Sequence, residues 1–330
     1  MTDTRNIVVL VLALAGTMTT AVLSHGQDSP QPVGVAVHGT SIDVGIGGGP
    51  FTTFYFDPAV AKPYFHPLRS ARGSVVTRGF PVVDDIRGED RDEPHQRPMY
   101  FAHGDINGFD FWGEAAYPKW SDHPVSTFGR TVFRTLDEAS GGADAGTLQT
   151  TFDLVAPTGV IGREVQRYRF SGDADTRVID CQFSVVATDR PLIMGDTKEG
   201  TFAVRVVKAL DSPPGHMLNA DNATGEKNIW GKQSAWVDYF GRVGDEDVGV
   251  AVFNDPRNLR SPAYWHARAY GLLAANPFGL SYFTRNHRQN GAYTIPAGTS
   301  LVLRYRVVIH HGDASHAGLA AAYRSFAIQK

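Results

Sequence analysis

The chain has one cysteine, no excess of basic residues and only one long apolar run, and each shortage excludes a class of protein. A single cysteine, Cys181, among 330 residues rules out an intrachain disulfide. The chain has 31 Lys and Arg residues against 34 Asp and Glu residues, and its net charge of −3 argues against the basic face that nucleic-acid binding needs. After residue 26 no segment approaches the roughly eighteen apolar residues of a transmembrane helix.

Residues 1–26 have the pattern of a secretory signal peptide. Arg5 precedes the apolar run 7–15, and small residues follow up to Gly26. The run is too short for a membrane span, because as a helix it covers roughly 14 Å of a hydrocarbon core about 30 Å thick. We therefore expect an exported protein, secreted or periplasmic, whose mature chain has no membrane span. An uncleaved anchor is the alternative.

The position of signal cleavage has a chemical consequence. Cleavage after Ser24 would make His25 the N-terminal residue, and an N-terminal histidine can ligate copper through its amine and its ring. Cleavage after Ala21 or Gly26 fits the sequence equally well. A metal-dependent copper oxidase therefore stays open as an alternative function.

Short segments rich in β-branched and aromatic residues, separated by turns, dominate the chain after the signal. Glycine-rich turns at residues 140–146 and 171–175 each join two such segments and predict two β-hairpins. Residues 314–329 predict a C-terminal helix with Asp313 as its N-cap. We predict an all-β fold, a large antiparallel β-sandwich that forms a single domain over residues 27–330. The predicted strands are residues 35–38, 41–45, 51–56, 74–78, 132–136, 147–155, 161–170, 177–186, 201–207, 234–240, 248–253 and 300–311.

The stretch 94–112 concentrates the strongest candidates for function. If residues 97–103 are extended, Arg97 and His103 share one face of a mostly apolar strand. Gly104 then ends the strand and a polar loop follows, which is how a rigid scaffold commonly presents catalytic groups. The alternative is that the loop only closes a turn and that His103 is a structural histidine. The candidates are His95, Arg97, His103, Asp105, Asn107, Asp110 and Trp112.

The segment 264–279 repeats the His-x-Arg spacing of His95 and Arg97 in His266 and Arg268, and ends near Asn276. We therefore expect His103 and His266 on one concave surface. The alternative is that the arginines pair with buried carboxylates. Two further candidates are Lys198, in the charged turn 195–200, and Trp230, whose ring could stack on a sugar.

Metal-binding patterns are weak. Residues 105–110 resemble the start of a calcium loop, but its twelfth position is Ala116 where an acidic residue is expected. His310 and His311 point to opposite faces of a strand and cannot both bind one ion. We therefore assign no metal ligand, and the sequence identifies no cofactor. Cys181 lies in an apolar strand and is interpreted as a buried core residue.

Several motifs together resemble a bacterial family that carries the label "methane oxygenase PmoA". Gln96 and Pro98 depart from that family's pattern of a second histidine and a glycine. The label conflicts with the sequence, because the methane monooxygenase subunit of that name spans the membrane several times. The resemblance instead implies a soluble protein associated with carbohydrate catabolism, with a sandwich like that of aldose epimerases, and it supplies no catalytic assignment. The motifs are residues 94–97, 101–112, 195–200, 265–268 and 275–279.

The sequence thus predicts an exported carbohydrate-active enzyme, a hydrolase or lyase, that acts on a glycoside or oxidised sugar by general acid–base chemistry. The alternative, besides the copper oxidase, is a non-catalytic carbohydrate-binding protein. The acid–base candidates are His103, His266 and Asp105. The candidates for substrate binding are His95, Arg97, Asn107, Asp110, Trp112, Lys198, Trp230, Arg268 and Asn276.

Overall fold

The computed structural model describes residues 29–84, 86–118 and 125–329. The predicted signal peptide and His25 lie outside these residues. In the described ranges no helix is long and apolar enough to cross a bilayer. The helices are α1 Glu226–Ile229, α2 Leu280–Phe283 and α3 Leu319–Ala327, with 3₁₀ turns at Val125–Thr127 and Lys208–Leu210. The strands are β1 Val33–His38, β2 Ser41–Ile46, β3 Gly49–Tyr55, β4 Tyr64–Phe65, β5 Met99–His103, β6 Arg130–Ser140, β7 Gly146–Ala156, β8 Gly159–Gly172, β9 Arg177–Val186, β10 Leu192–Met194, β11 Gly200–Arg205, β12 His216–Asn219, β13 Trp236–Val243, β14 Glu246–Asn254, β15 Tyr264–Ala267, β16 Leu272–Asn276, β17 Tyr293–Ile295 and β18 Ser300–His311.

Two antiparallel sheets form a sandwich around one apolar core. Sheet A has the strand order β1-β2-β3-β4-β5-β11-β16-β15, and sheet B has the order β12-β13-β14-β18-β9-β8-β7-β6. Stacked rings join the sheets, with centroids 4.2 Å apart for Phe101 and Phe183 and 4.9 Å apart for Phe202 and Tyr305. The predicted all-β sandwich with a C-terminal helix is confirmed.

The strands that expose one face to solvent have bounds that agree best with the sequence analysis. Both predicted hairpins are present, as β6–β7 and β8–β9, and β18 has the predicted bounds. Cys181 is buried in β9, as predicted. Two predictions need correction. The segment 74–78 forms only isolated bridges. Helix α3 begins five residues late, because the Asp313 carboxylate caps the turn at Ser315 and His316 instead.

Glu164 is a carboxyl group on the inner side of β8, buried in the sandwich. It accepts a hydrogen bond from the Gln166 side-chain amide, and the Tyr168 hydroxyl donates to Gln166 Oε1 at 2.7 Å. Burial raises the pKa of Glu164 to about 8. The group therefore keeps its proton at neutral pH in the folded state.

Glu164→Gln should stabilise the protein at pH 7 and have little effect at pH 4.5. The pKa of Glu164 is about 8 when folded against 4.5 for the free side chain, so wild type loses stability as the pH rises from about 4.5 to about 8. At about 1.4 kcal/mol per pH unit, the variant should gain about 3 kcal/mol between pH 4.5 and pH 7. Urea unfolding at both pH values measures this, with Glu138→Gln on exposed β6 as the control. Equal pH dependence in wild type and Glu164→Gln would contradict it.

Candidate functional site

The face of sheet A that points away from the core carries a row of cross-strand partners with small residues in its centre. Tyr100 on β5 pairs with Ala203, Ala203 pairs with Ala274, and Ala274 pairs with His266 on β15. Three strand spacings place the Cα atoms of Tyr100 and His266 roughly 14 Å apart. Because alanine side chains are short, Ala203 and Ala274 project little from the sheet between these two larger side chains. We call the polar groups gathered over this row the outer-face site: Lys62, His95, Arg97, Tyr100, Trp112, Glu114, Lys198, Glu199 and His266.

A buried ion-pair cluster forms one end of the outer-face site. Arg97 donates from Nε and Nη2 to the two Glu114 oxygens at 2.9 and 2.6 Å. Lys62 Nζ lies 3.1 Å from Glu114 Oε1 and donates to the Trp112 carbonyl at 2.5 Å. The Lys62 side chain is 0% exposed and the Glu114 side chain 3%. Two cations thus share one carboxylate, which leaves a net positive charge under the site.

Burial and charge pairing act in opposite directions on the pKa values of Lys62 and Glu114. Burial lowers the pKa of Lys62, against the opposing charge of Glu114. Burial alone would raise the pKa of Glu114, but Lys62 and Arg97 outweigh it and the net pKa is lowered. Arg97 is therefore committed to a buried carboxylate, which agrees with the alternative interpretation of the sequence.

His266 and Glu199 form the other end of the site. His266 Nδ1 lies 3.0 Å from the Lys198 carbonyl, which can only accept, so a neutral ring carries its proton on Nδ1. No described residue hydrogen-bonds Nε2, which is left with its lone pair. Burial lowers the pKa of His266 to about 4, and the charge of Glu199 opposes that shift. His266 is therefore a neutral base at neutral pH.

Glu199 is an ionised carboxylate beside this base. Burial raises the pKa of Glu199, but the charge that His266 carries when protonated, the Lys198 ammonium and the protonated form of His95 outweigh burial, so the net pKa is lowered. The Lys198 ammonium forms an ion pair with its Oε1. The Trp230 ring meets the His266 ring edge-on, with centroids 6.3 Å apart. An imidazole, a carboxylate, an ammonium and an indole therefore converge at this end.

Three buried polar atoms of the outer-face site have no hydrogen-bond partner among the described residues. They are His95 Nδ1, Tyr100 Oη and Trp112 Nε1. The Tyr100 and Trp112 rings pack together at 4.9 Å, and burial lowers the pKa of His95 to about 3. Buried polar groups are normally satisfied. Three unsatisfied groups on one sheet face indicate a place for a polar ligand or ordered water.

Gln96 joins a second buried network beside the site. Its Oε1 accepts from Arg205 Nη1 at 2.6 Å, and its Nε2 donates to the Tyr270 hydroxyl at 3.3 Å. Arg205 also lies under the Tyr270 ring, 4.4 Å from its centroid. An amide can donate and accept at once. Gln96 therefore holds Arg205 and Tyr270 together beside the site through a side chain that does not titrate.

The structure places His103 on the opposite side of sheet A from His266. His103 follows Met99 and Phe101 on the core-facing side of β5, and its ring lies 4.8 Å from that of core residue Phe278. His103 Nε2 donates to the Gly195 carbonyl at 2.8 Å, and burial lowers its pKa to about 4. The expectation that His103 and His266 share a concave surface is wrong. Strand β5 is buried on both faces. Its sequence therefore has no alternation of apolar and polar residues that would show which face packs against the core.

Four other sequence candidates use their side chains to hold turns. Asp105 Oδ1 accepts from the Gly108 amide at 2.8 Å, and Asn107 Oδ1 from the Ile193 amide at 2.7 Å. Asp110 Oδ1 accepts at 2.8 Å from the amides of both Trp112 and Gly113. Asn276 bonds to the Phe278 amide and the Thr197 carbonyl. These groups shape the loops around the site, and none of these contacts brings them to His266.

The remaining candidates lie at the site or on its border. His95, Arg97, Trp112 and Lys198 belong to the outer-face site, and Trp230 contacts it through His266. Arg268 Nε lies 3.2 Å from Glu226 Oε1, so it too pairs with a carboxylate.

Residues 41–324 match the model of a protein family described as a family of unknown function. The chain belongs to the DUF6807 family. The match includes every residue of the outer-face site. No curated protein matches the sequence.

Nineteen chains among solved structures match this DUF6807 chain. One is the Slr1438 protein from Synechocystis sp. PCC 6803, at 8% sequence identity and a TM-score of 0.33. The alignment covers 84% of this chain and 96% of that one. So distant a likeness carries no argument about function.

The sequence analysis missed several groups that the DUF6807 fold brings together. Glu199 lies in the charged turn 195–200, next to the predicted candidate Lys198. Tyr100 lies on the strand that leads to His103. Lys62 and Glu114 lie in loops without a recognisable pattern, and no sequence feature pointed to them. Within the described ranges, no cluster of three or more His, Cys, Asp or Glu side chains could hold a metal ion.

Proposed function

We propose that the protein is an exported carbohydrate-active enzyme that acts on a glycoside or oxidised sugar by general acid–base chemistry at the outer-face site. The observation that carries the proposal is the buried His266 ring, which is bonded through Nδ1 to the Lys198 carbonyl and lies in the electrostatic field of Glu199. A neutral imidazole with a free Nε2 lone pair beside an ionised carboxylate is an arrangement suited to proton abstraction. The partly exposed indole ring of Trp230 supplies an apolar face of the kind on which sugar rings stack, whereas the Trp112 ring is buried against Tyr100.

His266 Nε2 would accept a proton from a sugar hydroxyl, or from a carbon next to a carbonyl. The Glu199 charge favours the imidazolium that forms, since it opposes the effect of burial on the pKa of His266. The Lys198 ammonium would stabilise negative charge developing on the sugar oxygen. The same imidazolium would then return the proton to a leaving group or to another carbon. Elimination and epimerisation begin with such a step. In hydrolysis His266 would instead take the proton from the attacking water, whose oxygen replaces the leaving group at the anomeric carbon.

Two sequence features support the context of this activity. The resemblance to the family labelled "methane oxygenase PmoA" supports a role in carbohydrate catabolism. The pattern of residues 1–26 supports export to the periplasm or the medium. A sandwich of this kind, with a polar site on one sheet face, would also fit an aldose-epimerase-like enzyme.

A non-catalytic carbohydrate-binding protein is the second candidate. Its support is the set of unsatisfied buried groups on Tyr100, Trp112 and His95, which could bind a sugar without reacting with it. Such a protein would need the aromatic rings and would make no use of the His266 lone pair.

Turnover and affinity on the same sugar panel distinguish the two functions. The panel should contain neutral glycosides, uronates, keto sugars and unsaturated sugars, each tested with wild type and Trp230→Ala. An enzyme should turn over at least one member, and Trp230→Ala should weaken its binding. Binding without turnover of any member would favour the second candidate.

A further inference from the structure

A groove of about 550 Å³ adjoins the outer-face site and is lined by cations and aromatic rings. Among the described residues that line it there is no Asp or Glu. The whole chain has a net charge of −3, so this concentration of positive charge is local. The cations are Lys227, Lys232 and Arg285, and the rings are Trp230, Tyr264 and Phe283.

The three cations are available to a ligand. Lys227, Lys232 and Arg285 are exposed, and in the described part of the chain none has a carboxylate within ion-pair distance. Glu226, the neighbour of Lys227 in sequence, pairs with Arg268 instead. Arg285 lies over the Trp230 ring, 6.0 Å from its centroid. The groove therefore presents uncompensated positive charge beside an aromatic face.

The aromatic wall is ordered and carries an unused donor. Tyr264 and Phe283 stack at 5.6 Å with an angle of 12° between their planes, and Trp230 meets Phe283 edge-on at 5.7 Å. Trp230 Nε1 is buried and has no hydrogen-bond partner among the described residues. Rings and cations together suit a ligand with both a sugar ring and an acidic group.

The groove leads to the proposed base. Trp230 contacts His266 on its other side, and Tyr264 precedes His266 by two residues on β15, at the end of the sheet A strand order. A ligand chain that fills the groove would thus place its next unit near His266 Nε2.

We infer that this groove binds the acidic part of the substrate, which is a carboxylate- or sulfate-bearing oligosaccharide. This inference rests on the proposed function and narrows its substrate class. A volume of about 550 Å³ lies within the usual range of ligand pockets. Single-stranded nucleic acid also offers rings and negative charge, but the net charge of −3 disfavours it.

The test compares the affinities of neutral, uronate and sulfated oligosaccharides of equal length, measured by calorimetry with the mature chain. The triple variant Lys227→Gln, Lys232→Gln and Arg285→Gln removes the groove's charge at exposed positions. We expect it to weaken binding of at least one acidic ligand by about tenfold or more, and to leave neutral sugars unaffected. Binding of that ligand to wild type should also weaken as salt rises.

A matched control removes the same charge from sheet B. The triple variant Arg163→Gln, Arg167→Gln and Arg169→Gln alters exposed positions of β8 and should leave the affinity for acidic ligands unchanged. Comparing uronate with sulfate shows which acidic group is recognised.

The outcomes separate this inference from the proposed function. Turnover of neutral sugars, with affinities that the groove variant does not change, would overturn the inference and leave the enzyme proposal intact. Groove-dependent binding of an acidic oligosaccharide without turnover of any sugar would support the groove and overturn the enzyme proposal. Tighter binding of single-stranded nucleic acid than of every acidic sugar would overturn the inference.

Discussion

Glu114→Gln should destabilise the protein by about 3–5 kcal/mol, because it leaves two buried cations without their carboxylate. Lys62 is fully buried, and both of its neighbours in the cluster, Glu114 and Arg97, are nearly so. The cluster then keeps two positive charges in a poorly solvated place with only an amide between them. Urea unfolding at pH 7 measures the loss.

Two further variants show whether the loss comes from charge pairing. Lys62→Met leaves the two-pronged contact of Arg97 with Glu114 in place, so it should cost less than Glu114→Gln. The double variant should lose less than the sum of the single losses, since the pair interacts directly. Asp247→Asn breaks an exposed pair with Arg242 and should cost less than about 1 kcal/mol. A loss for Glu114→Gln no larger than that control would contradict the prediction.

The sequence predicted the strands of sheet B better than those at the site, for a physical reason. Strand β18 alternates buried Leu303 and Tyr305 with partly exposed Arg304 and Arg306, so its length and its inner face are legible. Strands β5, β11 and β16 are buried at every position. A strand covered on both faces has no polar side to mark its orientation.

The sequence analysis found site residues that lie in motifs and missed those that lie alone in the sequence. His266, Lys198, Trp230 and His95 lie in motifs where several functional groups cluster, and these motifs do meet in the fold. Glu114 is an isolated acidic residue whose importance depends on cations brought to it by folding. His103 was chosen because a strand delivered it to a loop, but its ring lies on the core side.

His266→Gln should lower turnover of the sugar substrate by roughly 10²–10⁴-fold. The affinity for the substrate should change much less, because an acid–base group acts mainly in the transition state. Glutamine keeps an amide that can donate to the Lys198 carbonyl but has no basic nitrogen. Steady-state kinetics on folded protein, with affinity measured separately, tests both statements.

The pH profile identifies His266 as the base more sharply than the loss alone. Burial lowers the pKa of His266 to about 4, so the imidazole is neutral and competent above that pH. Protonation removes the lone pair, and kcat/KM should therefore fall as the pH drops through about 4 rather than near 6.5. Glu199→Gln removes a negative charge that raises the pKa of His266, so the acid limb should move to lower pH. Circular dichroism at each pH separates this limb from acid unfolding.

His103→Gln provides the decisive comparison, because the sequence analysis predicts an acid–base role for His103 and the structure places its ring on the core-facing side of sheet A. This variant loses a buried ring contact with Phe278 and should lower the free energy of unfolding. The fraction that stays folded should keep its turnover and the same acid limb as wild type, since His103 lies on the far side of sheet A from the proposed substrate site. If His103→Gln abolishes turnover in folded protein while His266→Gln retains it, the acid–base role belongs to the inner histidine and the outer-face site is wrong.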